Sequence, residues 1–456
     1  MQAKSTIVAP ATAPGRAGVA VIRVSGPLVL SIVKKLIQKD LTPRLATCVN
    51  IKDKEGSNID NALVILFLGP NSYTGEDVIE IHCHGSPVIV DMIINEIILH
   101  GASFAGPGEF TQRAFLNGKL DLYQAESVAA LIEANSSQAV KSATRSLSGH
   151  FSKKIAKFQD EMTSLRVYIE ACLDFTDEDI DFISKPEVGR RLVDLLESIK
   201  LLSKSMQVGK LITEGAKVVL AGPTNAGKSS LFNQLSGADD AIVTPESGTT
   251  RDSLKQQIKI GQIGMNIDLI DTAGIRETTG VVEKEGIERS RQHVANCDII
   301  ILLLSSESYT DGDFATFCKK ELNFSGLDGK IVFALNKSDL RQDLISQEMR
   351  AAPNSCHISA KTGQGIARLQ EIVCNMLLGE SGGGEPTYIA RRRHLIALDA
   401  TLEHLELAQA EFRHGCAFEI IAEQLRLAQQ TLSEITGEIT SDDLLGEIFG
   451  SFCIGK

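Results

Sequence analysis

The chain is 456 residues long, 43% hydrophobic, and carries a net charge of −12. That length suits about three domains, and the acidic balance excludes a protein that grips nucleic acid by bulk positive charge. No apolar run approaches the roughly 20 residues of a membrane span, the N-terminus lacks a secretory apolar core, and the 9 cysteines form no CxxC pair, so a reduced, cytoplasmic protein without a disulfide framework or zinc ribbon is expected.

Residues 1–118 read as an α+β domain. Strands are expected at 6–9, 18–24, 62–67 and 77–82, and helices at 28–37 and 87–99. His82 and His84 flank Cys83 on one face of a strand. A metal could use both, but no third ligand is near in sequence, and the polar wall of a pocket is the better reading. Residues 119–214 read as helical. Ala125, Val128, Ala129 and Ile132 recur at i, i+3, i+4 and i+7. The acidic break at 174–181 lacks the spacing of a calcium loop and reads as a solvated helix boundary. Residues 215–378 read as a nucleotide-binding domain, followed by a flexible Glu380-Ser-Gly-Gly-Gly-Glu385 linker. Helices resume over 379–456, with Leu395, Leu398, Leu402 and Leu405, then Leu425, Ala428, Leu432 and Ile435, spaced 3-4-3. Helical segments on both sides of a globular insert imply one helical domain that the insert interrupts.

The insert carries the chemistry. Gly222-Pro-Thr-Asn-Ala-Gly-Lys-Ser229 is a complete G-x-x-x-x-G-K-S loop between an apolar strand and a helix. Asn225, Ala226 and Gly227 would offer backbone N–H groups to phosphates, and Lys228 would reach the β- and γ-phosphates. Ser229 would hold Mg²⁺, with Ser230 beside it. A strand at 265–270 leads into Asp271, Thr272, Ala273 and Gly274, placed for the Mg²⁺ shell and the γ-phosphate. A strand at 331–335 leads into Asn336, Lys337, Ser338 and Asp339. A carboxylate at Asp339 can accept both the N1–H and 2-amino protons of guanine, which adenine lacks. Ser359, Ala360 and Lys361 fit a backbone contact to the guanine oxygen. Four ordered motifs at strand ends select GTP.

The switch segment holds Thr244, Pro245, Glu246, Ser247, Gly248, Thr249 and Thr250, expected along the GTP site, with Thr250 as the second Mg²⁺ ligand. The position that usually carries a water-orienting Gln is Ile275, so another group must act; Glu277, Glu283 and Glu285 are near. Arg251 reads as half of a local Arg-Asp pair rather than a catalytic arginine. Asn225 is either a turn residue or, with switch carbonyls, a ligand for a monovalent cation that would supply positive charge at the phosphates.

Two further segments stand apart. Arg391-Arg-Arg-His394 is the best local basic cluster, a solvated helix end or an RNA contact. The tail Phe452-Cys-Ile-Gly-Lys456 puts Cys453 fourth from the end, but Gly455 and Lys456 do not suit a prenylation motif. Cys453 is then a reactive thiol or a buried small hydrophobe. Leu444, Leu445, Ile448 and Phe449 are expected to anchor a short helix, with Asp442 and Asp443 at its N-terminus, directing the tail toward the N-terminal domain.

These motifs, with Gly75-Glu-Asp77, Gly106-Pro-Gly-Glu-Phe110, Arg113-Ala-Phe-Leu-Asn117, Lys119-Leu-Asp121, Ser433-Glu-Ile-Thr-Gly-Glu438 and the terminal tail, resemble the MnmE (TrmE) family of tRNA-modifying GTPases from end to end. The resemblance implies an α+β, folate-binding and dimerising N-terminal domain, a helical domain and an inserted Ras-like P-loop G domain. It implies work with the flavoprotein MnmG, as a heterotetramer built on a homodimer, adding an aminomethyl-type group to C5 of the wobble uridine of certain tRNAs. The carbon would come from 5-formyl- or 5,10-methylene-tetrahydrofolate. It carries folate binding onto Arg23, Glu80, Lys119 and Lys456. It carries potassium ligation onto Asn225, Thr244, Glu246 and Thr249, and water positioning onto Glu283. Pro245-Glu246 is a charged, proline-stiffened form of the potassium loop. Two other readings are weaker. A ribosome-assembly GTPase would usually add a second G domain or a KH module, and neither is visible. A non-enzymatic switch that only recruits partners would not turn over GTP on its own.

Overall fold

The computed structural model describes residues 5–134, 136–174, 185–223, 225–236, 255–260, 265–271, 297–306, 330–340, 354–378, 388–414, 418–438 and 442–455. The chain forms two compact units. One comprises Met1–Glu133, Ala143–Ile199 and Ile396–Lys456, and the other Ala134–Ser142 and Lys200–Leu395.

The first unit opens with a six-stranded sheet of order β3-β4-β5-β2-β1-β6. Its strands are β1 (Ile7–Pro10), β2 (Ala17–Ser25), β3 (Thr47–Lys52), β4 (Asn58–Phe67), β5 (Val78–Gly85) and β6 (Ser103–Phe104). Pairing is antiparallel except between β1 and β6. Helices α1 (Val29–Ile37) and α2 (Pro87–Leu99) lay Ile32, Leu36, Ile93 and Ile97 on Ile22, Val24, Val64 and Ile81. Strand side chains alternate faces, so Ile22 and Val24 enter this core while Arg23 goes to the other face. There a smaller cluster of Ile7, Ala9, Ala105 and Phe110 forms, with Phe110 from α3 (Glu109–Leu116). The α2 bounds match expectation, since Pro87 at the first turn is a start signal. β3, β6 and α3 go beyond it. β3 is a six-residue edge strand whose alternation rests on Val49 and Ile51 alone, and β6 has two residues, so the local signal is short in both.

Helical segments follow: α4 (Leu122–Glu133), α5 (Ser137–Leu147), α6 (His150–Asp174) and α7 (Lys185–Glu214). In α4 the expected apolar stripe is only partly the buried one. Ala125 and Ala129 are inside, but Ile132 is exposed, and Tyr123, Glu126, Ser127 and Ala130 are buried instead. Tyr123 stacks on Phe151 at 4.1 Å between centroids, and its hydroxyl is 2.9 Å from Ser146 Oγ, so an amphipathic residue displaces the simple stripe.

The second unit holds a sheet of order β12-β11-β10-β7-β9-β8. It consists of β7 (Ala216–Ala221), β8 (Lys255–Ile260), β9 (Met265–Asp271), β10 (Ile299–Ser305), β11 (Ile331–Asn336) and β12 (Ser355–His357), with α8 (Lys228–Ser236) and α9 (Ile366–Leu378). All pairs are parallel except β8–β9. β10 is buried throughout, as its unbroken apolar run requires of a strand covered on both faces. Such sheets place ligands at the carboxyl ends of their strands.

The chain returns to the first unit through α10 (Arg392–His414), then α11 (Phe418–Thr436) and α12 (Asp442–Gly450). Leu425, Ala428, Leu432 and Ile435 of α11 are all buried. Gln159 of α6 and Gln429 of α11 each donate to the other's backbone oxygen, at 3.0 and 3.1 Å, which pins these two helices in register.

Candidate functional site

The phosphate loop begins where β7 ends. Gly222 has φ 149°, and a Cβ there would run into the Leu303 carbonyl. Gly227 has φ 94°, and a Cβ there would strike Asn336 Nδ2. Both positions therefore demand glycine. Asn225 is exposed at φ 63°, a region asparagine tolerates. Lys228 is buried, and its Nζ donates to the carbonyls of Gly222 and Pro223 at 2.9 and 2.8 Å. The ammonium is thus folded over the loop. Ser229 and Ser230 open α8 and are exposed.

The base side is tied to this loop by one residue. Asn336, at the end of β11, donates through Nδ2 to the Ala226 carbonyl at 2.9 Å and accepts the Ala360 N–H at 2.9 Å. A single amide thus spans the phosphate loop and the Ser359–Lys361 turn. The Ala360 N–H is committed to that brace and the Ser359 N–H to Gln364 O. The expected backbone contact to guanine therefore needs the Ala360 amide to exchange partners, or falls to Lys361. Lys337 sits at φ 64°, and its carbonyl accepts Ser306 Oγ at 2.9 Å. Ser306 gave no sequence signal, because it follows β10 outside every motif. Asp339 is exposed, and a hydrogen bond from Ser359, helped by the charge of Lys361, holds its carboxyl below the usual range. Asp271 closes β9, in parallel register with Leu220.

Among the other expected residues, Thr244, Pro245, Glu246, Ser247, Gly248, Thr249, Thr250, Thr272, Ala273, Gly274, Ile275 and Glu283 lie outside the described residues, as does Lys456.

A second polar constellation lies on the N-terminal sheet. Arg23 and Glu80 are cross-strand partners on β2 and β5, and Arg23 Nε and Nη2 both donate to Glu80 Oε1 at 3.0 and 2.8 Å. The guanidinium lies 5.3 Å from the Tyr73 ring centroid and 5.8 Å from that of Phe110. Neither ring was singled out in sequence as a partner of Arg23, although Phe110 belongs to the GPGEF motif. Burial pushes the Tyr73 phenol up, against its hydrogen bond with Thr111 and the Arg23 charge. Lys119 Nζ donates to Pro70 O at 3.0 Å, so Arg23 and Lys119 both reach the loop that carries Tyr73. His82 and His84 share a face but not a partner. His82 Nε2 lies 3.7 Å from Glu80 Oε2, and His84 Nδ1 lies 2.8 Å from Asp60 Oδ1. Burial opposes the Asp60 charge, but hydrogen bonds from His84 and Asn61 bring its pKa down overall. Among the described residues no group of three or more His, Cys, Asp or Glu could hold a metal.

The tail reaches the same module. Leu445, Ile448, Phe449 and Phe452 pack on Leu122, Ala125 and Ala129. Ile454 forms a β-bridge with Pro107, the Gly108 N–H donates to Cys453 O at 3.3 Å, and Gly455 lies against Pro10. Pro10 pairs with Ile22, next to Arg23. Cys453 is exposed, which overturns the buried-hydrophobe alternative.

Comparison with known proteins covers both units. The family described as the GTP-binding protein TrmE N-terminus matches residues 6–119, and the MnmE helical domain matches residues 122–453. The curated tRNA modification GTPase MnmE of Mannheimia succiniciproducens is 45% identical, covering 100% of both chains. Those of Photobacterium profundum and Vibrio cholerae are 45% and 44% identical, each covering 99% of both chains. With its phosphate loop, its Asn336 brace and this end-to-end likeness, the chain belongs to the MnmE family of tRNA modification GTPases.

Proposed function

We propose that the chain hydrolyses GTP at the β7–α8 loop and couples hydrolysis to modification of C5 of the wobble uridine in tRNA. It would act as a homodimer with the flavoprotein MnmG in a heterotetramer, taking a one-carbon unit from a tetrahydrofolate derivative. The observation that carries this reading is the Asn336 brace with the Asp339 carboxylate three residues on, in a chain that matches the family from end to end. The domains divide at 1–118, 119–214, 215–378 and 379–456.

Among the described residues, those of the phosphate loop and of the N-terminal sheet suit the groups they would hold. The loop backbone packs on the Leu303 carbonyl and the Asn336 side chain so closely that added Cβ atoms would collide, and its N–H groups lie ahead of the α8 N-terminus, where phosphate oxygens would be favoured. Lys228 moves from the Gly222 and Pro223 carbonyls onto the β- and γ-phosphates. Ser229 and Thr250 would hold Mg²⁺, which would neutralise charge on the phosphates when bound. Asn225, with Thr244, Glu246 and Thr249, would hold K⁺ where an arginine finger otherwise stands. The family likeness carries water positioning onto Glu283, in keeping with an apolar Ile275 where a Gln often stands. In the N-terminal domain, Arg23 between Tyr73 and Phe110 suits a flat, charged ligand. Glu80, Lys119 and Lys456 complete the folate set, and Cys453 has a thiol available for chemistry.

Mass analysis of tRNA nucleosides from cells lacking the chain tests the reading. The wobble uridine should lose its C5 substituent and regain it when the chain is returned. An unchanged nucleoside profile together with disturbed ribosomal subunits would replace this reading by a ribosome-assembly role.

A further inference from the structure

The run Arg391-Arg-Arg-His394 belongs to neither site above. It is a basic turn held by buried anchors on both sides. Ahead of it, Tyr388, Ile389 and Ala390 are buried, and Gly209 of α7 packs against the Tyr388 carbonyl so closely that a Cβ would collide. Behind it, His394 is fully buried, and its Nδ1 accepts the Arg391 N–H at 3.1 Å. Between these anchors Arg392 is exposed and Arg391 half-buried. Among the described residues neither guanidinium has an acidic partner.

Helix stability does not explain these residues. The N-terminus of α10 carries partial positive charge, so cations there are disfavoured rather than stabilised. Acidic side chains would be favoured in that first turn, and it has none. The whole chain is acidic, so an approaching polyanion needs a local foothold. Guanidinium forks match phosphate oxygens bidentately, and the helix N–H groups face the same way electrostatically.

We propose that Arg391 and Arg392 form a contact for the phosphate backbone of the tRNA. This rests on the tRNA reading given under the proposed function. The test is fluorescence anisotropy of the full-length chain with a labelled tRNA transcript carrying uridine at the wobble position, between 50 and 200 mM KCl. Arg391→Gln with Arg392→Gln should weaken binding roughly tenfold or more at low salt. It should also lower the slope of log K against log salt by about one for each phosphate no longer neutralised. Replacing both by Lys should restore most of the slope, and GTP hydrolysis in both variants should match wild type, which reports an intact fold. Wild-type affinity and slope in the Gln variant would overturn the proposal while leaving the tRNA reading standing. Displacement of the tRNA by inorganic phosphate at matched ionic strength would assign the turn to a small anion and overturn it too. Failure of the wild-type chain to bind the transcript at any salt would remove both readings.

Discussion

At the scale of single residues, the base side of the GTP site turns on Asp339 and Asn336. Asn336 sits 110 positions from Ala226 and 24 from Ala360, yet one amide joins all three. The NKSD spacing put Asp339 forward as the expected base contact; the brace between the two loops was not legible, because it depends on β11 ending beside both. Asp339 should lose its preference when its acceptor pair becomes an amide. Asp339→Asn should weaken GTP roughly 10²-fold and favour xanthosine triphosphate. Unchanged GTP affinity in direct titration would reject the assignment. The Ser359 hydrogen bond holds the folded carboxyl below its ordinary value. A depressed carboxylate stays ionised above that value and is protonated only as the pH falls through it. GTP affinity should therefore vary little through Asp339 between about pH 8 and pH 5 and fall only in stronger acid, which titrations across that range check.

At the scale of elements, the C-terminal segment illustrates what periodicity reads well and what it omits. Leu444, Leu445, Ile448 and Phe449 marked α12, and the last three are buried. The bridge from Ile454 to Pro107 carries no local signal, since it pairs residues from opposite ends of the chain. Gly108 also comes close to α12: a Cβ there would lie 2.8 Å from Phe449 O and 3.0 Å from the Phe452 side chain. Deleting residues 452–456 removes the bridge and the last aromatic of the cluster, so tRNA modification should be lost and 5-formyl-tetrahydrofolate binding weakened. Basal GTP hydrolysis should persist. Calorimetry showing wild-type folate affinity in the truncated chain would reject a folate contact by the tail. Loss of modification in Cys453→Ser with folate binding intact would give the exposed thiol a chemical role.

At the scale of the whole molecule, hydrolysis is expected to depend on a cation and on a second copy of the chain. With no evident arginine finger in the sequence, K⁺ at Asn225 would supply the missing positive charge as two G domains approach, while Glu283 takes the water-orienting part that Ile275 cannot. GTP turnover should be at least about tenfold faster in potassium than in sodium, the scale of removing one charged hydrogen bond of about 1.5 kcal/mol or more. Asn225→Ala should erase the difference. Equal rates in both salts at matched ionic strength would exclude the cation. The sequence by itself determined the order of the GTP motifs, the strands that carry them and the helical runs on either side, because each rests on spacing within a few residues. Tertiary structure decided the rest. The Arg23–Glu80 pair on its aromatic walls, the Asn336 brace and the docking of the tail beside β1 each join positions distant in sequence. Local periodicity reports only which face of an element is apolar; which faces meet is fixed by packing the whole sheet and its helices at once.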